Sequence, residues 1–200
     1  MIDIRARLLE AAARVYAEMG YRGATTRRIA QEADVNEITL FRHFGSKDAL
    51  ILEALRCASD GSASALPATP SDPEHELYQW CRACFDRLYE SRALVRKVFG
   101  EVVEHPEISR FAKQCPSSSA TELREYVRRL QEQGRAHRDV DPAAAAAMLI
   151  GAVFADAMGR DIMTEIYPYS ADEAIASYVQ LFLRAIGAAA VPTEDAPAQR

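Results

Sequence analysis

From Asp3 to Ile186 the apolar residues of this chain recur every three or four positions, and no segment alternates apolar and polar residues with period two. A strand half-buried in a sheet needs that alternation, whereas a helix laid on a core needs the longer spacing. The chain is therefore expected to be all-α. Its helix starts are legible as well. Asp3 precedes a stripe of Leu8, Ala12, Val15, Tyr16 and Met19 that Gly20 should stop. Thr25 or Thr26 opens a short second helix carrying Ile29, Ala30 and Ala33 inward. After a tight turn at Asp34 and Val35, Asn36 caps a third helix, and Ser46 caps a fourth that runs through Leu50, Ile51, Leu55 and Cys57. Later starts fall at Asp72-Pro73, with Leu77, Cys81, Cys84 and Leu88 in one stripe, and at Ser91, before Leu94, Val95, Val98 and Val102. The capping boxes Ser119-x-x-Glu122 and Ser170-x-x-Glu173 open two more, and Asp141-Pro142 opens an alanine-rich helix between them.

The composition shifts over residues 60–72, DGSASALPATPSD, which are small, polar and proline-bearing and read as a loop between two parts of the fold. Three regions are expected: a three-helix head over 1–47, a larger helical body over 48–187, and a loose tail over 188–200. No apolar run approaches the roughly 20 residues that span a bilayer. The charged start MIDIRARLLE lacks the apolar stretch of a secretory signal, so a cytoplasmic protein with no membrane partner is expected. In that compartment Cys57, Cys81, Cys84 and Cys115 stay reduced. Cys81-x-x-Cys84 lies in a helical pattern with neither a preceding strand nor a second pair for zinc, and is read as core thiols, with redox sensing as the lesser alternative.

The formal net charge of −5 speaks against a general nucleic-acid binder. Its distribution does not. Residues 1–56 hold nine Lys and Arg against eight Asp and Glu, whereas residues 57–200 hold fifteen against twenty-one. The head alone can approach a polyanion.

Two short helices joined by a tight turn describe a helix-turn-helix, whose second helix can lie in the major groove of DNA. Turning the third helix by about 100° per residue puts Leu40 and Phe44 on the inward side with Phe41 at its edge. Ile38, Thr39, Arg42 and His43 fall opposite. Arg42 and His43 suit phosphates or base edges, Thr39 suits phosphate oxygen, Ile38 suits a thymine methyl, and Glu37 suits the amino group of cytosine. Arg27 and Arg28 stand at the start of the second helix and Lys47 at the start of the fourth, where backbone N–H groups favour an anion.

The ordered set Thr25-Thr-Arg-Arg-Ile-Ala-Gln-Glu-Ala33, Val35 and Thr39-Leu-Phe-Arg-His-Phe-Gly-Ser-Lys47 resembles the DNA-binding domain of the TetR family of transcriptional regulators over about residues 5–55. The resemblance implies a homodimer that binds a palindromic double-stranded operator and releases it when a small molecule enters the C-terminal part. It places Thr26 and Arg27 at the groove edge, Glu37 and Ile38 against bases, and Thr39, His43 and Lys47 on phosphates. It also assigns dimerisation to the last two helices, at about 142–159 and 171–186, where Ala143 to Ala147, Gly151, Ala152, Ala155 and Gly159 permit close approach. Three positions depart from the family pattern: Asp34 for a glycine in the turn, Ile38 for a frequent glycine, and Phe41 for a frequent tyrosine. Ile38 is thereby the expected specificity residue.

An effector pocket needs apolar walls with a few polar groups. Trp80, Phe85, Tyr89, Phe99, Phe111, Tyr126, Met148 and Phe154 are the candidates, with His105 or Glu101 as polar partners for a moderately hydrophobic molecule. An enzyme is the competing reading. It lacks H-E-x-x-H, G-x-S-x-G, a Gly-rich phosphate loop and paired metal ligands, and His75, His105 and His137 have unrelated spacings, so neither catalysis nor a cofactor is expected. A third reading keeps the fold as a protein-interaction module without DNA binding.

Overall fold

The computed structural model describes residues 3–60, 65–102 and 118–188, and everything regular in them is helix. His105, Phe111, Cys115, residues 61–64 of the expected loop and residues 189–200 of the expected tail lie outside the described residues. The helices are α1 (Ile4–Gly23), α2 (Thr26–Glu32), α3 (Glu37–Phe44), α4 (Lys47–Asp60), α5 (Pro73–Glu90), α6 (Arg92–Val102), α7 (Ser118–Glu132), α8 (Pro142–Gly159) and α9 (Ala171–Ala185). The all-α architecture read from the sequence is the one found.

Most of the caps stand where the sequence puts them. The side chains of Asp3, Thr25, Asn36, Asp72, Asp141 and Ser170 each accept a backbone N–H of the first turn that follows, and Ser170 and Glu173 form both halves of a capping box. Ser46 accepts from the Ala49 N–H at 3.1 Å. The Ser119 box is absent. α7 already begins at Ser118, and the Glu122 carboxylate accepts instead from the Leu66 N–H at 2.7 Å and the Trp80 indole at 3.0 Å, tying the 65–72 segment and α5 to α7.

Two apolar cores result. In the head, Leu8, Ala12, Tyr16, Ile29, Ala30, Leu40 and Phe44 pack with Leu50, Ile51 and Ala54 of α4 and Leu94 of α6. In the body, Leu77, Trp80, Cys81, Leu123, Tyr126, Leu149, Val153, Ile175, Val179 and Phe182 pack across α5, α7, α8 and α9. Two residues expected inward turn out. Met19 is exposed because α1 breaks at Gly20, directly after it, and its sulfur accepts from Arg28. Cys57 is exposed on α4.

Burial pushes the Cys81 thiol up, and pushes that of Cys84 up to about 11. Neither is thiolate near neutral pH, which fits core thiols and not a reactive pair. Partial burial raises the Glu76 carboxyl, but bonds from the Tyr126 hydroxyl, the Asp72 N–H and Ser71 outweigh it and hold it at about 2, so α5 and α7 meet at a charged acceptor.

α6 bridges the two cores. At one end Arg96 and Arg92 bind Asp161, and Arg96 donates to the Met158 carbonyl at 3.0 Å, docking α6 on the end of α8. At the other end Glu101 reaches the head. Its carboxylate accepts from the Tyr16 hydroxyl at 2.9 Å and the Tyr21 N–H at 3.0 Å, inside the break of α1. Glu101 was expected beside an effector. It is instead the plug between head and body, since Gly20 carries no Cβ and leaves room for it.

α8 also departs from expectation. Its 18 residues are long and apolar enough, by length and composition alone, to cross a membrane, yet only 39% of them are buried within the chain. The outward residues Ala144, Ala147, Met148, Gly151 and Ala155 lie three or four apart, in a stripe, and Leu181 of the neighbouring α9 is 63% exposed. Gly159 takes no part in that stripe: it is buried under Met163 and Tyr167.

Candidate nucleic-acid interface

α2 and α3 are short because their ends are fixed within a few residues. Thr25 and Asn36 cap the starts, and Gly45, at φ 73°, closes α3 in a conformation that favours glycine. Between them Asp34 makes the turn at φ 51°. Aspartate tolerates the left-handed region better than most residues. Arg7 of α1 clamps this turn, donating to the Ala33 carbonyl and, at 3.1 Å, to the Asp34 carbonyl. At the far end of α3, Arg5 donates to the His43 carbonyl, lies 4.7 Å from the centre of the Phe44 ring, and binds Glu53 of α4 through both carboxylate oxygens at 2.6 Å. α3 is thus held at both ends by α1. Neither arginine was singled out in the sequence, because their partners lie 26 to 48 residues away.

Leu40 and Phe44 face inward, as expected, and the opposite side of α3 is open. Ile38 is 74% exposed and Phe41 46% exposed, an unusual pair of apolar groups to leave in water on an eight-residue helix. Arg42 stands exposed beside them and His43 is half-buried. On α2 Arg27 is exposed too, and neither Arg27 nor Arg42 forms an ion pair among the described residues. Thr39 is half-buried.

The remaining candidates are already engaged. The Thr25 hydroxyl caps α2 by accepting from the Arg28 N–H at 3.3 Å. Arg28 folds back, donating to the Met19 sulfur at 3.1 Å and the Gly23 carbonyl at 3.4 Å. Lys47 donates to the Tyr21 carbonyl at 2.8 Å, and its ammonium stands 3.8 Å from the centre of the Tyr21 ring. Tyr21 in turn donates to Asp48 at 2.5 Å, so the end of α1 is tied to the start of α4. Thr26 donates its hydroxyl proton to Glu37 across the two helices of the motif. What α2 and α3 present outward is an apolar pair and two exposed cations, with one carboxylate fixed at the first position of α3.

The seven pocket candidates among the described residues do not gather in one place. Trp80, Phe85 and Tyr126 are core, with Trp80 bonded to Glu122 and Tyr126 to Glu76. Tyr89 stacks on Phe85 at 5.6 Å under the Arg92 guanidinium. Phe99 of α6 is 62% exposed and meets Phe154 of α8 at 5.4 Å, while Met148 looks outward from α8. A cleft of about 320 Å³ beside α5 and α9 is lined by Asp72, Glu74, His75, Tyr78, Ala176 and Val179, none of them a candidate.

Comparison with known proteins covers both parts of the chain. Residues 8–54 match the family model described as bacterial regulatory proteins, tetR family. Residues 76–188 match that of the AefR-like transcriptional repressor, C-terminal domain. The chain is 28% identical over 128 residues to the uncharacterized HTH-type transcriptional regulator YvkB of Bacillus subtilis, covering 64% of this chain and 68% of that one. It is 25% identical over 167 residues to the HTH-type transcriptional regulator UidR of Escherichia coli, covering 80% and 85%. Among solved structures, a TetR-family transcriptional regulator from Rhodococcus sp. superposes with a TM-score of 0.69 over 93% of this chain and 99% of that one at 18% identity, a likeness of fold.

Proposed function

Because the chain belongs to the TetR family of transcriptional regulators, we propose that this regulator is a repressor, that it binds a palindromic operator as a homodimer in the cytoplasm, and that a small, moderately hydrophobic effector releases it. The observation that carries the DNA-binding part is the open face of α3, where Ile38 and Phe41 are exposed with Arg42, while Arg27 of α2 is exposed as well. Apolar groups left in water beside unpaired cations suit a groove whose edge carries thymine methyls and whose walls are phosphate. Gel shift against the DNA upstream of the chain's own coding sequence tests it. Sequence-selective retardation is expected, and equal retardation of unrelated duplexes would count against it.

Ile38 carries base preference in this reading. Ile38→Ala is expected to change the preferred base at one position of each half-site by about 1 to 3 kcal/mol at most, measured by competition among duplexes differing there. Arg27 and Arg42 supply backbone affinity. Lys47 reaches a phosphate only by leaving or sharing the Tyr21 carbonyl, so its place in the contact set is secondary to theirs.

The exposed stripe of α8 and Leu181 of α9 support the dimer. A Cβ built at Gly151 meets nothing within 4 Å in the single chain. A side chain there has nothing of its own protomer to disturb. Gly151→Glu is therefore expected to leave the melting of the protomer close to unchanged while converting the protein to a monomer in sedimentation, with operator affinity lowered at least about tenfold as one of two half-sites is lost. A dimer of unchanged affinity would move the interface elsewhere.

Such a dimer sets its two α3 helices about 34 to 36 Å apart, one turn of the duplex. The effector acts by preferring a conformation in which that spacing is wrong, since a ligand indifferent to the two states shifts nothing. α4, which leads out of the head, shares the task with α6, which is bonded to α1 at Glu101 and to α8 at Arg96. Tyr89, Phe99 and Phe154, at the meeting of α5, α6 and α8, are the described residues best placed for the effector. Small apolar compounds that raise the melting temperature and weaken operator binding are the expected outcome of a ligand screen.

A further inference from the structure

Resting on the DNA-binding reading above, we propose that Thr26 is a positioning residue that aims the Glu37 carboxylate at a cytosine, and that this pair, beside Ile38, sets operator specificity. A threonine hydroxyl has one proton to donate. Here Thr26, the first residue of α2, gives it to Oε1 of Glu37, the first residue of α3, at 2.5 Å. The hydroxyl oxygen keeps only acceptor capacity, and a phosphate oxygen offers no proton to it. The Thr26 hydroxyl therefore does not hold the DNA backbone, the task its place at the groove edge would suggest.

Glu37 then needs a reason to face DNA. An ionised carboxylate only accepts hydrogen bonds, and phosphates repel it, so its favourable partners in the major groove are the exocyclic amino groups of cytosine and adenine. The amino group of adenine stands between two acceptors, its own N7 and the O4 of the paired thymine. That of cytosine has an acceptor on one side only, the O6 of guanine. The carboxylate is thus repelled less at cytosine. Oε2 of Glu37 makes no hydrogen bond among the described residues and remains to accept.

The bond from Thr26 fixes a side chain with three rotatable bonds before DNA arrives. Glutamate so held loses less freedom on binding, which corresponds to roughly 3- to 10-fold in discrimination. The bond also spans the two helices of the motif, so the carboxylate moves with α2 and cannot retreat from the groove independently.

The experiment is binding-site selection from random duplexes, followed by affinity measurements at several salt concentrations, with the full-length protein and its Thr26→Val, Thr26→Ser and Glu37→Gln variants. The wild type is expected to select cytosine at one position in each half-site. Thr26→Val should lower that preference by about 3- to 10-fold without changing the salt slope, and Thr26→Ser, which keeps the hydroxyl, should restore it. Glu37→Gln should move the preference to adenine, whose N6 and N7 match an amide. Thermal melting shows which variants fold; if Thr26→Val does not, Glu37→Gln, which keeps an acceptor for Thr26, carries the test. Uniform weakening of all sequences by Thr26→Val with a shallower salt slope would make Thr26 a phosphate contact and overturn the proposal. So would a cytosine preference indifferent to both substitutions. A wild-type protein that selects no sequence would instead overturn the DNA-binding reading beneath it.

Discussion

Gly20→Ala is expected to lower the melting temperature by roughly 6 to 15 °C, which for a chain of this length corresponds to about 3 to 5 kcal/mol. Gly20 sits at φ 68° and ψ −178°, a backbone region that essentially only glycine occupies and that costs other residues of order 1 to 3 kcal/mol. A Cβ there would stand 2.0 Å from Oε1 of Glu101 and 2.8 Å from Cε of Lys97. Glu101 would have to leave, and its departure removes the acceptor of the buried Tyr16 hydroxyl and of the Tyr21 N–H. Each buried donor left unpaired costs about 1 to 3 kcal/mol. Burial and the Glu101 carboxylate together push the Tyr16 phenol up, so it stays a donor throughout the working range of pH. A double-mutant cycle checks the cause. Once Glu101 is alanine, its clash with the added methyl is gone, and backbone strain and the contact with Lys97 remain, so the two changes should be markedly less than additive. Full additivity would mean that Glu101 does not occupy the break.

The second large effect is expected at Arg160. Asp156 is fully buried on α8, the one buried charged side chain among the described residues, and the Arg160 guanidinium binds it through two bonds of 2.8 Å while the Tyr178 hydroxyl of α9 donates at 2.9 Å. Arg160 also donates to the Tyr169 carbonyl and lies over the Phe85 ring, so one side chain joins α5, α8 and the connection to α9. Arg160→Met leaves the carboxylate in the core with one partner, and breaking a buried pair costs about 3 to 5 kcal/mol. A melting temperature lower by roughly 10 °C or more is expected. Replacing Asp156, Arg160 and Tyr178 together by leucine, methionine and phenylalanine removes the buried charges and their donors at once and should recover most of the loss. If Arg160→Met melts like the wild type, the carboxylate does not depend on it.

Local features of the fold were legible. The caps at Asp3, Thr25, Asn36, Asp72, Asp141 and Ser170 were readable because a cap and its donors lie within three residues of each other. Ser119 misled because its partner Glu122 is taken by Leu66 and Trp80, 56 and 42 residues away. Met148 was assigned to a pocket although it faces out from α8, since periodicity cannot choose a face on a helix that is apolar all round. The inward and outward sides of α3 followed from a stripe of only two residues, Leu40 and Phe44. The ties that hold α3 in place did not. Arg5, Arg7, Tyr21 and Glu101 have partners 26 to 85 residues distant, and no local pattern announces such pairs.

The plug at Glu101 also limits how freely the chain can be recombined. Homologous regulators invite exchange of reading heads, with the first three helices of one transplanted onto the body of another to redirect it to a new operator. In this chain the seam between the parts runs through the middle of a hydrogen-bonded cluster, with Gly20, Tyr16 and Tyr21 on one side and Glu101 and Lys97 on the other. A transplanted head that lost its acidic plug would expose a notch with unpaired donors, and a host body that kept Glu101 would press it against whatever replaced Gly20. Exchanges between relatives should therefore succeed when the last two turns of α6 travel with α1, and fail when the cut is made at the linker alone.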